Sequence, residues 1–418
     1  MRGSTTRPGS RHLLLAGAGI PGLSLALALR QAHGDALAVT VCDPGLAQAA
    51  VRQRGRAFAI AAGGRRMLER LGIWDGLGAA AAPITEMAIS DSRLPDPVRP
   101  VFLTFAQTPR DADGPFAHMV EAEALVEALR AACEAAGVAL EPVGIARATP
   151  DGDTIRATLA DGRDLRTALL VAADGARSRL REAAGIGWVG WSYPQVGIVA
   201  TVLHARPHGG RATEHFLPSG PFAILPLADG PQGHRSSIVW TERAADVDAL
   251  LGGEPDAVLA EIERRFTPQL GQLALEQGPS AHPLAFGIAR RFHGERLALL
   301  GDAAHVIHPI AGQGLNLGLA DAAALAEAVT GALRLGLDPG AADVLVAYER
   351  ARRFDTLAMA AATDGLNRLF SNDALPVRIA RDLGLGLVDR LPGLKRFFVG
   401  EAAASRGTQP RLLRGEAL

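Results

Sequence analysis

The chain begins with apolar runs separated by a glycine-rich turn. Residues 12–16 (HLLLA) predict a short buried strand, and leucines among alanines predict a helix over about 21–32. The run 37–42 (LAVTVC) predicts a second strand that ends at Asp43. A strand, a helix and a second strand in this order predict two parallel strands joined by a right-handed connection.

The rest of the chain changes its periodicity twice. Between residues 188 and 284, alternating runs separated by Pro/Gly-rich turns predict an antiparallel sheet. A buried strand then returns at 296–300, and a long alanine-rich helix begins near Gly314, followed by two or three helices to about residue 400. The other predicted elements are helices at 62–72, 122–136 and 255–266, a hairpin of 154–160 and 163–172, and β-type runs at 196–204, 221–227 and 235–241.

Composition excludes several classes of protein. Apolar residues make up 48% and charged residues 21% of the 418 positions, which is typical of a globular protein and excludes disorder. The formal net charge of -1 provides no electrostatic footprint for nucleic acid. Cys42 and Cys133 lack the spacing of metal ligands, so we expect two buried thiols in a reducing cytoplasm and no metal site.

The amino-terminal region superficially resembles a signal peptide, because arginines precede the apolar stretch 13–29. Three glycines and Pro21 interrupt that stretch, and these residues favour a structural turn instead. No other run approaches the roughly 20 apolar residues that a membrane-spanning helix needs. We therefore expect a cytoplasmic protein that is at most peripheral on the inner membrane.

The glycine-rich turn carries the first chemical motif. It reads Gly17-Ala18-Gly19-Ile20-Pro21-Gly22, a G-x-G-x-x-G sequence between a predicted strand and a predicted helix. In such turns the first glycine permits the tight turn, the second lets the backbone approach a pyrophosphate, and the third allows close helix packing. Asp43 follows the last glycine by 21 positions, where an acidic residue binds a ribose hydroxyl. The motif predicts dinucleotide binding.

These patterns together predict an α/β fold. A Rossmann-like dinucleotide-binding domain is interrupted by an antiparallel β-sheet domain and followed by C-terminal helices. The predicted division gives 11–84, 116–186 and 286–340 to the first domain, 85–115 and 187–285 to the second, 341–402 to the helices and 403–418 to a tail.

Two further motifs each follow an apolar strand. One is Asp174-Gly175-Ala176-Arg177-Ser178-Arg179-Leu180-Arg181; the other is Gly301-Asp302-Ala303-Ala304-His305, followed by Pro309, Gly312-Gln313-Gly314-Leu315-Asn316-Leu317-Gly318 and Asp321. In this order and spacing, the three motifs resemble those of class A FAD-dependent aromatic monooxygenases of the para-hydroxybenzoate hydroxylase type. The resemblance implies FAD as the cofactor of the first domain and an aromatic substrate on the second.

The resemblance also implies individual roles. Gly301 and Asp302 would hold a ribityl hydroxyl and the pyrophosphate region, Pro309 would lie beside the flavin ring, and Arg56 would lie near the diphosphate. The backbone of Gly312, Gln313, Gly314, Leu315 and Asn316 would face the flavin pyrimidine edge, where a helix N-terminus favours negative charge. Asp174 and Gly175 would contact both FAD and the visiting NAD(P)H.

Three other segments narrow the resemblance. Residues 191–195 (WSYPQ), 216–227 (FLPSGPFAILPL) and 364–370 (DGLNRLF) look like signatures of the ubiquinone-biosynthesis hydroxylases, and the likeness covers residues 12–402. It implies hydroxylation of a polyprenylated phenol by NAD(P)H and O2 through a C4a-hydroperoxyflavin, and association with a biosynthetic complex. Two departures are Asp43, where the family more often has Glu, and the arginine-rich residues 1–11.

No catalytic residue is assigned from the sequence. His308, Gln195, Tyr193 and His282 are candidates for an acid/base partner of the phenol, although a structural role is favoured for each. Arg177, Arg179 and Arg181 fit a cofactor contact or a solvated helix face equally well. The basic amphipathic segment Val377 to Phe398 either lies on a membrane surface or packs its apolar face on the FAD domain.

Three alternatives remain open. A hydroxylase of a small soluble aromatic acid would need a cation in a closed pocket, whereas a polyprenylated phenol needs a long apolar one. A reductase-type flavoprotein would not incorporate oxygen into its product. A scaffold subunit of a biosynthetic complex would keep the flavin for stability alone.

Overall fold

The structure is a computed structural model that describes residues 11–48, 55–91, 101–106, 114–253, 255–266, 268–371 and 409–418. Residues 1–10 of the arginine-rich start and the basic segment 377–398 lie outside this part of the chain.

The strands divide into four sheets. In chain order they are β1 (His12–Ala16), β2 (Ala38–Cys42), β3 (Ala57–Ala61), β4 (Ala82–Ile84), β5 (Glu86–Asp91), β6 (Val101–Ala106), β7 (Ala117–Glu121), β8 (Ala139–Glu141), β9 (Ile145–Asp151), β10 (Thr154–Leu159), β11 (Asp164–Thr167), β12 (Leu169–Ala172), β13 (Trp188–His204), β14 (Arg211–Leu217), β15 (Gly220–Gly230), β16 (Gly233–Arg243), β17 (Leu273–Ala289), β18 (His293–Gly294), β19 (Leu297–Leu299) and β20 (His305–Val306).

The helices lie mainly between and after the strands of the parallel sheet. They are α1 (Ile20–His33), α2 (Ala62–Arg70), α3 (Trp74–Leu77), α4 (Ala122–Ala135), α5 (Arg179–Ala183), α6 (Val247–Leu251), α7 (Pro255–Arg265), α8 (Gln313–Arg334) and α9 (Ala342–Phe370). None of the helices that the structure describes is long and apolar enough to cross a bilayer.

The first sheet has six strands in the order β18-β19-β12-β1-β2-β8. All its pairs are parallel except β18 with β19. The strands read as continuous apolar runs because both faces are covered: Leu13, Leu14 and Leu15 alternate between the two faces of the sheet, and all three are fully buried. The predicted parallel strand–helix–strand unit is confirmed, as is the hairpin of β10 with β11.

The second sheet has eight strands in the order β20-β17-β13-β16-β15-β14-β5-β6. One face presents Ile198, Phe222 and Trp240 to a core completed by α6 and α7. The expectation of an antiparallel sheet is correct for most pairs, but β14 and β5 run parallel. They run parallel because β5 and β6 come from an earlier excursion of the chain, and the chain reaches β14 only after a long crossover.

The two cysteines are free and buried, as the sequence predicts. Burial raises the pKa of Cys42 to about 11 and that of Cys133 to about 12. Both thiols therefore stay protonated near neutral pH and behave as small core residues.

The last described residues, 409–418, pack on the body of the protein. Leu412 and Leu413 are buried, and Arg66 Nε donates a hydrogen bond of 2.8 Å to the Leu413 carbonyl. The segment that the sequence treats as a tail therefore includes a docked turn, and the apolar pair of leucines is the signal for it.

Helix α9 is anchored on the second sheet through the segments 191–195 and 364–370. Tyr193 donates a 2.6 Å hydrogen bond from its hydroxyl to Asp364, and Asn367 Nδ2 donates to Gln195 Oε1 at 2.9 Å. Phe370 stacks on Phe216, with 4.1 Å between ring centroids. The two sequence signatures thus face each other across one interface.

Replacement of Phe370 tests this anchor. Phe370 is 4% exposed, so Phe370→Ala should lower the free energy of unfolding by about 3–5 kcal/mol through lost burial and a cavity. Phe354→Ala is the matched control on the same helix, because Phe354 is 74% exposed and its loss should cost less than about 0.5 kcal/mol. Urea unfolding measures both, and equal losses would contradict the anchor.

Candidate active site

A cavity of about 860 Å³ lies between the carboxyl ends of β1, β2, β12 and β19 and the second sheet. Binding sites of α/β proteins occur at this edge of a parallel sheet. All eighteen residues predicted to bind the cofactor line this cavity. They are Gly17, Ala18, Gly19, Ile20, Pro21, Gly22, Asp43, Arg56, Asp174, Gly175, Gly301, Asp302, Pro309, Gly312, Gln313, Gly314, Leu315 and Asn316.

The glycines of the first turn meet different constraints. Gly17 has φ +117°, and a Cβ there would lie 2.1 Å from the Ala173 carbonyl oxygen. A Cβ on Gly22 would lie 2.4 Å from the Gly17 carbonyl oxygen. A Cβ on Gly19 would instead meet no protein atom closer than 4.0 Å. Gly17 and Gly22 are therefore required by the fold, whereas Gly19 leaves room for a ligand.

Asp43 fixes the glycine turn to the end of β2. Its carboxylate accepts hydrogen bonds from the backbone N–H of Ala18 at 2.8 Å and of Gly45 at 2.6 Å. Helix α1 follows its N-cap residue Gly19, with no side chain capping it and no acidic residue in its first turn. The positive end of the helix is thus directed at the cavity and available to an anion.

A second helix N-terminus reaches the same cavity. Gly312, with φ +62°, precedes α8, and no side chain caps this helix. Asn316 holds the first turn in place, because its Oδ1 accepts from Ala61 N at 3.0 Å and its Nδ2 donates to Ala59 O at 2.9 Å. The start of α8 is thereby fixed against β3.

A buried carboxylate supports the turn that carries Asp302. Asp321 is fully buried, and its Oδ2 accepts from His305 Nε2 at 2.6 Å and from Gly301 N at 3.2 Å. Its Oδ1 accepts from Arg352 Nε at 2.8 Å. Burial alone would raise the pKa of Asp321, but His305 and Arg352 outweigh it and hold that pKa below its usual value.

Asp302 itself projects into the cavity, where desolvation raises the pKa of its carboxyl against the opposing effects of His305 and Arg56. A hydroxyl of a ligand in the cavity would donate a hydrogen bond to this carboxylate.

The three arginines of the second motif divide into two groups. Arg181 is buried, lies 4.0 Å from the Trp188 ring, and donates to the carbonyls of Ala176 and Ala303 at 3.1 and 3.0 Å. Burial lowers the pKa of Arg181. Arg177 and Arg179 are exposed and line the cavity. Arg181 is therefore a structural link between the second and third motifs, and the other two are positioned to contact a ligand.

None of the four acid/base candidates lines this cavity in the described part of the chain. Tyr193 and Gln195 line a separate cavity of about 800 Å³ near the end of α9, and burial together with Asp364 raises the pKa of Tyr193. His308 is buried against Tyr193, and burial lowers its pKa to about 4. His282 is exposed, and desolvation and Arg56 lower its pKa. All four residues therefore lie outside the cavity that contains the predicted cofactor residues.

The second sheet contributes an ionisable residue that no sequence motif indicates. Glu214 of β14 lines the cavity, and desolvation raises its pKa to about 7. The segment 211–217 (RATEHFL) has too few apolar residues to predict a strand. The sequence signal for this position is limited to one carboxylate, Glu214, in a segment where polar and apolar residues alternate.

The arrangement fits FAD. The open face of Gly19, the uncapped N-terminus of α1 and Arg177 and Arg179 suit a diphosphate, and Asp302 suits a ribityl hydroxyl. The backbone at the start of α8 suits the polar edge of the flavin ring. Fold and site therefore define an FAD-dependent oxidoreductase with a separate substrate sheet.

Comparison with known proteins identifies the family. Residues 12–362 match the family model described as FAD binding domain, and the chain belongs to this family of FAD-dependent monooxygenases. The ubiquinone hydroxylase UbiL of Rhodospirillum rubrum is 45% identical over 97% of this chain and 93% of its own. The 3-demethoxyubiquinol 3-hydroxylase of Escherichia coli is 33% identical over 92% of this chain and 96% of its own.

Solved structures share the fold. Pseudomonas aeruginosa PqsL in complex with 2-aminobenzoylacetate has a TM-score of 0.72 and 22% identity, with 90% of this chain and 100% of that chain covered. The p-nitrophenol 4-monooxygenase PnpA of Pseudomonas putida also has a TM-score of 0.72, with 21% identity and coverage of 98% and 96%. The predicted α/β fold is confirmed by this likeness.

Because the position of Gly19 is open, a substitution there should weaken cofactor binding without a comparable loss of protein stability. Gly19→Val should change the stability of the apoprotein little, because the added Cβ would come no closer than 4.0 Å to any protein atom. It should weaken FAD binding at least about tenfold, or roughly 1.4 kcal/mol, by occupying the space of the diphosphate. Fluorescence titration with FAD measures the affinity. Gly331→Val, on an exposed open position of α8, is the control, and equal affinities in both variants would refute this role of Gly19.

The Asp321 network predicts an effect on stability. Asp321→Asn should lower the free energy of unfolding by about 3 kcal/mol or more, because the buried Arg352 loses its fully buried partner and keeps only the partly exposed Asp355. Asp355→Asn should cost less than about 1 kcal/mol, since Asp355 is partly exposed.

The same network predicts a pH dependence. The pKa of folded Asp321 is lowered, so its contribution is complete above the ordinary carboxyl pKa of about 4 and is lost on further acidification. Urea unfolding at several pH values measures this loss of stability. If Asp321→Asn lost as much free energy of unfolding on acidification as the wild type does, the pH dependence would not come from Asp321.

Proposed function

We propose that this protein hydroxylates the aromatic ring of a polyprenylated phenol in ubiquinone biosynthesis, with FAD as cofactor and NAD(P)H and O2 as co-substrates. The names of the two similar hydroxylases support the substrate class. The observation that carries the proposal is the chemistry of the cavity wall formed by the second sheet.

That wall is largely apolar, and no Lys or Arg of the described sheet lines it. Met87, Val199, Ala223, Leu225 and Val239 supply aliphatic or thioether surface. Its ionisable groups are the carboxylate of Glu214 and the imidazole of His305, which is bound to Asp321. A small aromatic acid needs a cation to balance its carboxylate, whereas an alkylated phenol needs apolar surface and a hydrogen-bond acceptor for its hydroxyl. The wall therefore favours the phenol.

FAD, when bound, takes electrons from NAD(P)H and activates dioxygen for transfer of one oxygen atom to an electron-rich ring. The chain's own residues bind and orient the reactants. We assign the diphosphate to the glycine turn and the start of α1, the ribityl chain to Asp302, and the polar ring edge to the backbone from Gly312 to Asn316. The second sheet holds the substrate ring and keeps water from it.

Two further features belong to this proposal. We assign the six-stranded sheet to an FAD domain and the eight-stranded sheet to a substrate domain. The basic segment 377–398 would place the protein on the inner membrane surface, where a polyprenylated substrate resides, or against partner proteins of a biosynthetic complex.

Oxygen labelling tests the proposed reaction. The holoenzyme with NAD(P)H, ¹⁸O₂ and a short-chain polyprenylphenol should give a product that carries one ¹⁸O on its ring, detected by mass spectrometry. In a parallel reaction, 4-hydroxybenzoate should give no labelled product, because the described wall offers its carboxylate no cation.

Each alternative has its own result in this experiment. Incorporation of ¹⁸O into 4-hydroxybenzoate and not into the polyprenylphenol would show that the substrate is a small aromatic acid. Flavin reduction without ¹⁸O in either compound would indicate a reductase. A bound flavin that NAD(P)H does not reduce would indicate a scaffold subunit.

A further inference from the structure

Glu214 occupies a defined row of the substrate sheet. It lies opposite Ala223 on β15, which lies opposite Val239 on β16, which in turn lies opposite Val199 on β13. All four residues line the cavity. The row therefore presents three aliphatic side chains and, at its end, one carboxylate to the same space.

No group of the described chain satisfies this carboxylate. Desolvation is the sole influence on its ionisation, and neither a hydrogen bond nor an ion pair to Glu214 is present among the described residues. The neighbouring polar residues are engaged elsewhere: Arg211 pairs with Glu86 at 3.2 Å, and His215 shares a 2.7 Å hydrogen bond with Ser90. A half-buried carboxylate without a partner is costly unless a ligand supplies a donor.

The other charged groups of the cavity belong to its cofactor side. They are Asp43, Arg56, Asp174, Arg177, Arg179 and Asp302, and the imidazole of His305 is already bound to Asp321. Apart from His305, which lies on β20 and is bound to Asp321, Glu214 is the ionisable group that the described substrate sheet places in the cavity, at the end of three aliphatic side chains.

We propose that Glu214 accepts the hydrogen bond of the substrate's phenolic hydroxyl and takes its proton as oxygen is transferred to the ring. The proposal rests on the proposed function, because it requires a phenol. As the ring carbon bonds to the incoming oxygen atom, the phenolic O–H bond breaks, its electron pair moves into the ring, and the proton passes to the carboxylate.

Glu214 then returns this proton to the same oxygen. The ring regains aromaticity when the proton of its attacked carbon leaves, and that proton combines with the hydroxide formed from the second oxygen atom of O2. NAD(P)H supplies two electrons and one hydrogen as hydride, and the solvent supplies one proton; these two hydrogens end on the transferred oxygen atom and on the hydroxide. The phenol, O2, NAD(P)H and one proton thus give the hydroxylated phenol, NAD(P)+ and water. The carboxylate is unchanged at the end, as a general acid/base requires.

A binding titration tests the contact without turnover. The probe is a 4-nitrophenol with a short prenyl chain, whose visible absorption reports the phenolate, bound to the holoenzyme without NAD(P)H over a range of pH. A neighbouring carboxylate opposes formation of the phenolate. Glu214→Gln should therefore lower the apparent pKa of the bound probe by about one unit or more. The control Glu86→Gln makes the same change on the adjacent strand, outside the cavity, and should leave that pKa as in the wild type.

Kinetics test the proton transfer. Glu214→Gln should lower kcat about 100-fold or more, with flavin reduction by NAD(P)H unchanged. Because only the ionised carboxylate accepts a proton, wild-type kcat/KM should rise as the pH increases through about 7, and this rise should be absent in the variant. Glu214→Asp keeps the base and should retain the rise with a reduced kcat, which also provides a test if the Gln variant does not fold.

The outcomes separate this inference from the proposed function. An unchanged probe pKa, or a Gln variant that hydroxylates the phenol at the wild-type rate, would overturn the role of Glu214 and leave the reaction standing. Failure of the enzyme to hydroxylate any polyprenylphenol would overturn the proposed function, while the probe titration would still report whether Glu214 faces a bound phenol.

Discussion

The site depends on one buried carboxylate. Asp321 lies on α8 and binds Gly301 on the turn after β19, His305 on β20 and Arg352 on α9. A single fully buried group thus fixes the turn that carries Asp302 relative to the two long helices. The arrangement is stable because two cationic or polarisable partners and a backbone N–H compensate for the removal of the carboxylate from water. If it were altered, the cofactor side of the cavity would lose its shape even though Asp321 does not line it.

The cofactor half of the cavity was predictable from the sequence because its constraints are local. Gly17 and Gly22 must be glycine to avoid the Ala173 and Gly17 carbonyls, and a constraint of this kind leaves a fixed spacing in the chain. The parallel strands were equally predictable from the sequence, since burial on both faces produces continuous apolar runs. The boundaries of α1 and β2 differ from the predicted ones by a residue or so.

The substrate half of the cavity was less predictable because its strands are defined by pairing with segments far along the chain. Strand β14 has a polar composition, and only its pairing with β15 and β5 identifies it as a strand. Glu214 faces the cavity for the same reason, and nothing adjacent to it in sequence indicates this. The acid/base candidates His308 and Tyr193 stood beside recognisable motifs, yet they belong to the packing of α9. Closeness to a motif in sequence therefore indicated which side chains face the cavity less well than the position of a residue in the strand register of the sheet.

The parallel pairing of β14 with β5 also has a consequence for biosynthesis. Ser90 and its partner His215 are 125 residues apart, and the ribosome completes β5 and β6 long before β14 emerges. At elongation rates of about 5–20 residues per second, the unpaired edge of β5 is exposed for several seconds or longer. Exposed edges are templates for wrong strand pairing. Nascent chains should therefore depend on chaperones until residue 217 has left the exit tunnel.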